Sequence, residues 1–409
     1  MKNLKVTKLQ NGITLLMERI PGVESVCLGV FVRTGAVYEK PEESGVSHYL
    51  EHMMFKGTKK RTAKEISEAI DREGGMINAY TSKTKTVYYV KMLPETIKTG
   101  IDILSDILTR SIFPPEELEK ERNVIIEEIH MYEDIPEETI HDENARFALA
   151  GVYGNSVIGT EASLKGITEE AFRKYHKETY TPENMLVSVA GKIEFAEIQD
   201  CLERQLGKYK NPSPKRNVSE GFTVLKKENI IKKKTNQIHL CVNTRDLSII
   251  DDKWYVSAVI GNTMGGGMSS RLFQKVREDL GLAYAIYAYG SWFPQGGLFT
   301  VYAGTTKKDW KKVARIVLDE FKAMREKGVT AAELAKSKNQ IMSGLIFGLE
   351  NTKNRMERMA NSWMLMGRVV PIAEVMAEIR AITRKDVMAT AEYMFDEAYY
   401  STTVLGDIR

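Results

Sequence analysis

Two segments of this 409-residue chain resemble each other at a fixed distance. Residues 117–120 (ELEK) match residues 333–336 (ELAK), an offset of 216, and both are followed by an asparagine and an aliphatic run. Such self-similarity indicates a divergent internal duplication, so the chain is expected to build one kind of unit twice. A length of 409 residues also exceeds what one ordinary core supports, which independently favours two domains.

The two halves have a similar predicted order of elements. Asn11-Gly12 predicts a hairpin at the start of the chain. Each half then has a strand (25–34 and 237–244), a helix (44–56 and 253–278), a strand pair (77–93 and 283–303) and two helices ending in 117–131 and 333–349. Hairpins as well as helices join the strands, which favours a mixed or largely antiparallel sheet over a parallel one. The predicted fold class is α+β, with two homologous domains, each a sheet packed with helices.

A polar segment separates the halves. It contains Pro212, Pro214 and several lysines, and it has no helical apolar stripe, which is typical of a linker. The predicted division is an N-terminal domain at 1–210, a linker at 211–228 and a C-terminal domain at 229–409.

Composition excludes several classes of protein. The net charge of +3 is small for this length, so neither a nucleic-acid surface nor a membrane surface is expected. Cys27, Cys201 and Cys241 are far apart and form no CxxC pair, which argues against a disulfide framework. Because the N-terminal residues have no signal-like or transit-like pattern and no window is apolar enough to span a bilayer, we expect a cytoplasmic protein.

The motif with the clearest chemistry is His48-Tyr49-Leu50-Glu51-His52. Ser44 is the predicted N-cap of its helix and Gly57 the predicted stop. On a helical wheel, His48, Glu51 and His52 share one arc, opposite an apolar arc that contains Tyr49 and Leu50. Imidazoles one turn apart can hold a single metal ion, and a catalytic zinc site needs one more protein ligand beside an open position.

The helix at 117–131 offers that third ligand. Glu128 lies among Val124, Ile125 and Ile129 on the wheel, and a carboxylate on an apolar stripe is costly unless it is paired or bound to a metal. Glu121 lies two turns earlier and could orient a ligand, although a solvated charge run is an equally good explanation for it. At the same offset of 216 the second half has Gly344 and Ser337, and it has no HxxEH motif, so one zinc ion per chain is expected.

These residues resemble the pitrilysin and mitochondrial-processing-peptidase family of inverted zinc metallopeptidases. The resemblance rests on residues 45–58 (GVSHYLEHMMFKGT), 74–82 (GGMINAYTS) and 121–128 (ERNVIIEE), with the last glutamate 76 positions after His52. It extends from about Asn11 to the C-terminus, and the length is similar to that of the half-size bacterial members. It implies the processing-peptidase fold, zinc bound by His48, His52 and Glu128, catalysis by Glu51 acting on a zinc-held water, and support from Glu121.

The same resemblance implies further roles. Asn78 and Ala79 would hydrogen-bond the main chain of a peptide substrate, while Arg277 and Tyr284 would contact it near the zinc. Without the family, an exposed arginine and a core tyrosine would be the first interpretation of the last two. Residues 265–267 (GGG) resemble the family's glycine-rich loop, although a tight turn explains them equally well.

Assembly and activity are also implied by the family. Two chains would enclose a chamber as a homodimer, with Arg277 and Tyr284 acting across the interface, and the chamber would admit unfolded peptides. One departure is residues 83–85 (KTK), where relatives usually have an acidic residue. Two alternatives stay open, a catalytically silent partner subunit and a non-haem iron(II) enzyme, because two histidines and one carboxylate also describe the iron triad.

Overall fold

The structure is a computed structural model that describes residues 3–212 and 221–408. The chain divides into two compact units. Unit 1 is formed by described residues within 1–130, 155–219 and 348–369, and unit 2 by those within 131–154, 220–347 and 370–409. Residues 213–220 of the predicted linker lie outside the described residues.

The described chain contains both strands and helices. The strands are β1 (Leu4–Lys8), β2 (Thr14–Arg19), β3 (Val26–Val32), β4 (Met76–Thr81), β5 (Thr86–Met92), β6 (Met185–Gly191), β7 (Glu228–Lys232), β8 (Ile238–Asp246), β9 (Ala283–Phe293), β10 (Gly296–Thr305) and β11 (Ser401–Gly406). The helices are α1 (Val46–Met53), α2 (Ala63–Arg72), α3 (Ile97–Arg110), α4 (Pro115–Asp134), α5 (Pro136–Ala148), α6 (Glu161–Gly166), α7 (Glu169–Thr179), α8 (Phe195–Leu206), α9 (Trp254–Gly265), α10 (Trp310–Lys327), α11 (Ala331–Gly348), α12 (Thr352–Met366), α13 (Ile372–Ala381) and α14 (Arg384–Met394).

The two sheets confirm the predicted α+β class and show the duplication directly. The strand order is β1-β2-β6-β3-β5-β4 in unit 1 and β7-β11-β8-β10-β9 in unit 2. From β2 and from β7 onward the two orders correspond strand for strand. In each sheet the pair β2–β6 or β7–β11 is parallel, and the remaining pairs are antiparallel. The predicted hairpin is also present, since β1 and β2 pair across Asn11-Gly12.

The central strand of unit 1 is buried on both faces. Every residue of β3 (VCLGVFV) is buried, as expected for a continuous apolar run that is covered on both sides. Leu28 and its neighbours on one face join the main core, whereas Cys27 and Phe31 on the other face pack in a cluster with Met356 of α12. Gly29 lies on that second face. A Cβ atom there would lie 2.6 Å from Sδ of Met356, so the glycine allows α12 to approach.

Two helices do not belong to the unit that their position along the chain would suggest. The first-half helix α5 packs on β8 and β11 of unit 2, and the second-half helix α12 packs on β3 and β6 of unit 1. Both helices directly follow the duplicated helices α4 and α11, so the exchange is reciprocal. The predicted division at 210 and 229 follows chain order and does not include this exchange. An amphipathic pattern shows that a helix has a buried face, but it does not identify the sheet that covers that face.

The predicted helix at 253–278 is wrong as a single element. Helix α9 ends at Gly265, and a separate π-helical segment runs from Phe273 to Asp279. Glycines at 265, 266 and 267 explain the break, because glycine is unfavourable inside a helix and permits irregular backbone.

Candidate metal centre

Helix α1 presents the HxxEH residues from a buried base. Val46, Tyr49, Leu50 and Met53 are buried in the core of unit 1, and the Tyr49 hydroxyl donates to the carbonyl of Leu118 in α4. The opposite arc carries the two imidazoles and Glu51, as the wheel predicted. This anchoring fixes the direction in which both histidines point.

The ends of α1 differ from the prediction. Gly45 is the N-cap, with φ of +91°, and Ser44 makes no cap. The buried carboxylate of Glu39 caps the helix from outside, since it accepts hydrogen bonds from the N–H groups of Gly45 (2.7 Å) and Ser47 (2.8 Å). A carboxylate at a helix N-terminus satisfies the free N–H groups and interacts favourably with the helix dipole. The helix also ends at Met53, before the predicted stop at Gly57.

Helix α4 provides two further carboxylates to the same region. Glu121 is buried, and the side chain of Glu128 is 23% exposed. The wheel correctly placed Ile125 and Ile129 in the core, but Val124 is exposed on the surface of the unit. Glu128 therefore lies at the edge of the apolar stripe, between the core and solvent.

Three of the predicted residues converge on one point. In the part of the chain that the structure describes, His48, His52 and Glu128 are the only group of three metal-binding side chains whose ligand atoms lie within 4.8 Å of one another. Oε2 of Glu128 is 3.8 Å from Nε2 of His48 and 3.7 Å from Nε2 of His52. These separations exceed a hydrogen bond, and they approach the spacing of about 3.4 Å between ligands held at 2.0–2.1 Å around a tetrahedral zinc ion.

The protonation of the two imidazoles suits a metal ion. Burial, together with the neighbouring His52, lowers the pKa of His48 to about 3, so this ring is neutral at neutral pH. Nδ1 of His52 lies 3.2 Å from Oε2 of Glu121. In the tautomer with the proton on Nδ1, His52 donates a hydrogen bond to Glu121. Its Nε2 then has a free lone pair on the side where Glu128 lies, so it can bind a metal ion. The residues present therefore fit a divalent zinc ion.

Glu121 bridges a ligand and a cation. While Oε2 faces His52, Oε1 lies 2.5 Å from Nζ of Lys56, one turn beyond the motif. A buried carboxylate is stable when it is paired in this way. The helical wheel left two explanations for Glu121 open, the family resemblance implied a supporting role, and neither pointed to Lys56. A signal was available in the sequence, since on the predicted helix at 44–56 Lys56 follows His52 by four positions and would share its face.

Glu51 lies beside the cluster and has one hydrogen-bond partner among the described residues. The hydroxyl of Thr81 donates to Oε2 of Glu51 at 2.5 Å. Burial raises the pKa of Glu51, while the hydrogen bond from Thr81 opposes that shift. A carboxylate whose pKa moves toward neutral is better suited to accept and return a proton. Sequence reasoning did not assign a role to Thr81, because the contact joins elements 30 residues apart.

Asn78 and Ala79 lie on an edge strand of the sheet that the described residues of unit 1 form. They are part of β4, which pairs with β5 on one side and is the last strand of the unit 1 sheet. Asn78 is exposed, and its Oδ1 accepts a hydrogen bond from the N–H of Ala79 at 2.7 Å. An edge strand has backbone N–H and C=O groups that can pair with an added strand.

Arg277, Tyr284 and the glycine-rich loop come together in unit 2. The guanidinium carbon of Arg277 lies 4.8 Å from the ring centre of Tyr284, which is 77% exposed. Both residues and Gly265, Gly266 and Gly267 line one pocket of about 360 Å³. The tyrosine is thus a surface residue, so the alternative of a core tyrosine is wrong.

Within the described residues of unit 2, no group of side chains repeats the cluster of His48, His52 and Glu128. Ser337 of α11 stands where α4 has Glu121, and its hydroxyl lies 2.8 Å from that of Thr263 on α9. Gly344 stands in place of Glu128. A neutral hydrogen bond between two helices therefore takes the place that Glu121 has in unit 1.

Residues 83–85 (KTK), which depart from the family pattern, make contacts within unit 1. Nζ of Lys83 donates to the carbonyl of Asn155, and Nζ of Lys85 donates to Oδ1 of Asn361. Burial lowers the pKa of Lys85. Both ammonium groups are thereby directed to protein acceptors.

A helix with an HxxEH motif, completed by a glutamate from a second helix, defines the inverted class of zinc peptidase sites. Residues 14–161 match the family model described as "Insulinase (Peptidase family M16)", and residues 166–341 match the model "Peptidase M16 inactive domain". The chain belongs to this zinc protease family, peptidase family M16. His48, Glu51 and His52 of the HxxEH motif and the distant Glu128 all fall within the first of these matches.

Proteins of similar length are related along the whole chain. The protein is 38% identical to "Uncharacterized zinc protease YmxG" from Bacillus subtilis, with 95% of each chain covered. It is 34% identical to "Uncharacterized zinc protease SCO5738" from Streptomyces coelicolor, covering 98% of this chain and 89% of that protein.

Solved structures share the fold. A protease from Helicobacter pylori superposes with a TM-score of 0.90 at 20% identity, covering 98% of this chain and 99% of the other. A structure described as a peptidase M16 inactive domain, from Pseudomonas fluorescens, gives a TM-score of 0.91 at 15% identity, covering 99% and 98%. None of the helices within the described residues has both the length and the apolar character required to traverse a bilayer.

Proposed function

We propose that this protein is a zinc metalloendopeptidase that hydrolyses unfolded peptides. The observation that carries the proposal is the convergence of His48, His52 and Glu128 beside the carboxylate of Glu51. Three ligands from two helices leave a coordination position open, which distinguishes a catalytic zinc site from a closed structural one.

Each residue has a distinct role in the proposed reaction. His48 and His52 would bind the ion through Nε2, and Glu128 through Oε2. When bound, zinc supplies a Lewis acid that makes water more acidic and polarises the peptide carbonyl. Glu51 accepts the proton of the attacking water and passes it to the leaving amine. Glu121 accepts the Nδ1 proton of His52 and so keeps that ring oriented.

The proposed substrate is an extended peptide chain. The edge of β4 supports this proposal, because a peptide added as a further strand would pair with backbone groups near Asn78 and Ala79. Main-chain pairing does not depend on the side chains of the substrate, and most backbone N–H and C=O groups of a folded protein are already paired within that protein. The enzyme is therefore expected to cut unstructured peptides and to spare folded proteins.

A peptide library incubated with the zinc-loaded protein tests the activity. Mass spectrometry should detect internal cleavage that a chelator abolishes and zinc restores. Glu51→Gln should bind zinc normally and lose turnover by at least about a thousandfold, as expected when a general base is removed together with its charge. Glu127→Gln is the matched control, because Glu127 lies next to Glu128 and its side chain is 81% exposed. Turnover by Glu51→Gln close to that of the wild type would exclude the proposed base.

The metal analysis also separates the remaining alternatives. Protein purified without added metal should contain zinc at about one ion per chain, whereas iron would favour the oxygenase alternative. A silent partner subunit would bind zinc without cleaving any peptide of the library. The complete HxxEH motif within residues 14–161 supports an active enzyme over a silent one.

We also propose that two copies form a homodimer that encloses the substrate, with Arg277 and Tyr284 of one copy acting at the zinc of the other. The pair of the partly buried Arg277 and the exposed Tyr284 supports this, because it presents a cation and a hydroxyl that can stabilise a developing oxyanion. Mixing Glu51→Gln with Arg277→Ala tests the sharing of residues. Mixed dimers should regain one intact site, and absence of rescue after verified mixing would exclude it.

A further inference from the structure

The hydroxyl of Thr81 makes the hydrogen bond that orients Glu51. Its Oγ1 lies 2.5 Å from Oε2 of Glu51, which is the length of a strong bond to a charged acceptor. Within residues 3–212 and 221–408, no other group hydrogen-bonds this carboxylate. One carboxylate oxygen is thus held by Thr81, and Oε1 stays free to accept a proton.

Thr81 is itself held in place. It is the last residue of β4, where it pairs with Thr86 of β5, and the two hydroxyl oxygens lie 3.4 Å apart. Thr86 is fully buried. The backbone N–H of the next residue, Ser82, donates to the carbonyl of Lys85 at 2.8 Å and closes the hairpin. The hydroxyl of Thr81 therefore projects from a rigid strand end and not from a mobile loop.

The strand that holds Thr81 is also the strand that the substrate would join. Asn78 and Ala79 are three and two positions before Thr81 on the same edge strand. Because β4 and α1 are in contact, a peptide aligned on β4 lies at a fixed position relative to Glu51. One strand thus determines both the register of the scissile bond and the direction of the base.

We propose that Thr81 is a positioning residue of the peptidase reaction, which orients the Glu51 carboxylate through its hydroxyl. This inference rests on the proposed function. Positioning matters for the rate, because a proton-transfer group that is displaced or rotated loses much of its effect even when the substrate is bound normally.

Thr81→Val and Thr81→Ser test the assignment as a pair. Valine keeps the size and branching of threonine but removes the hydroxyl, and serine keeps the hydroxyl. Thr81→Val should lower kcat about 10- to 100-fold with KM within about twofold of the wild-type value, while zinc content and Tm are unchanged. Thr81→Ser should restore kcat to within about threefold of the wild type.

Several results would overturn the assignment. A valine variant with wild-type kcat, or a serine variant as slow as the valine variant, would remove the hydroxyl from the reaction. Loss of zinc or a lower Tm in Thr81→Val would identify a structural role instead. A wild-type protein that binds zinc but cleaves no peptide would refute the proposed function itself. This result is distinguishable from the others, because it appears in the wild type before any variant is compared.

Discussion

The ammonium group of Lys56 lies 2.5 Å from Oε1 of Glu121, and both side chains belong to unit 1. The second oxygen of the same carboxylate faces Nδ1 of His52. Lys56 is therefore linked to the proposed zinc site through two successive contacts, first with Glu121 and then with His52. Such outer contacts fix the tautomer and the orientation of a metal-binding imidazole.

Lys56→Met should weaken zinc binding about tenfold, because Glu121 would lose the cation that pairs with it while remaining buried. Competition with a chelator of known affinity measures the effect on the dissociation constant. Lys56→Arg should retain most of the affinity. Lys59→Met removes the same charge from a nearby exposed position and should leave the affinity unchanged. Equal affinities for Lys56→Met and the wild type would exclude a role of this ion pair in zinc binding.

Glu39→Gln should destabilise the protein by about 1–2 kcal/mol, because the amide can accept only one of the two backbone hydrogen bonds now made to the carboxylate. The remaining N–H group would face an NH₂ group at the start of α1. Since His48 is in the first turn of that helix, zinc affinity should fall as well. Urea unfolding and chelator competition measure the two effects. Glu42→Gln changes an exposed neighbouring glutamate and is the control. Wild-type stability in Glu39→Gln would show that the cap contributes little.

Some of these features follow from the sequence, and others depend on the tertiary structure. Period and spacing were sufficient to predict the duplicated order of elements and to place Glu128 on the apolar stripe of its helix, because both are properties of single helices and strands. The meeting of Glu128 with the two histidines was implied by the family resemblance. The cap from Glu39 and the bond from Thr81 join separate elements, and a pattern along one element contains no information about them. The position of Val124 shows the same limit. Its apolar side chain fits the buried arc of the wheel, but half of the residue stays exposed among the described residues.

Because of the buried His176, we predict that the folded protein loses stability against unfolding in acid. Its ring packs edge-on against Phe113 and at a tilt against Tyr180, and Nε2 is buried with no hydrogen-bond partner among the described residues. Burial, followed by the charge of Arg173, lowers the pKa of His176 to about 4. In the unfolded chain the pKa is about 6.5, so the unfolded state binds the proton first as the pH falls. The stabilising contribution is complete above pH 6.5 and is lost as the pH falls through about 4, by at most about 3 kcal/mol.

His176→Phe should remove this part of the pH dependence, because phenylalanine keeps the ring contacts and does not titrate. Urea unfolding of the metal-free protein between pH 4 and pH 7.5 measures it, and the difference between the two curves isolates His176 from other groups. Parallel curves for His176→Phe and the wild type would contradict the prediction.

The exchanged helix α5 is held to unit 2 by a pair of buried amides. Nδ2 of Asn144 donates to Oδ1 of Asn243 at 2.8 Å, and Nδ2 of Asn243 donates back to Oδ1 of Asn144 at 2.7 Å. On the sheet side, the hydroxyl of Thr300 also donates to Oδ1 of Asn243. Both amides are almost completely buried, so each needs the other to satisfy its hydrogen bonds.

Asn144→Ala should therefore cost about 2–3 kcal/mol of stability, because it leaves the amide of Asn243 buried with one donor and one acceptor bond fewer. The double variant Asn144→Ala/Asn243→Ala should be destabilised by less than the sum of the two single variants, as expected for directly coupled groups. Denaturant unfolding of all four proteins provides this cycle, and Asn123→Ala on the exposed face of α4 is the control for loss of an asparagine. Additive effects would mean that the two amides act independently. The anchoring of α5 would then have to come from its apolar residues, such as Ile140, which packs against Leu405 and Cys241.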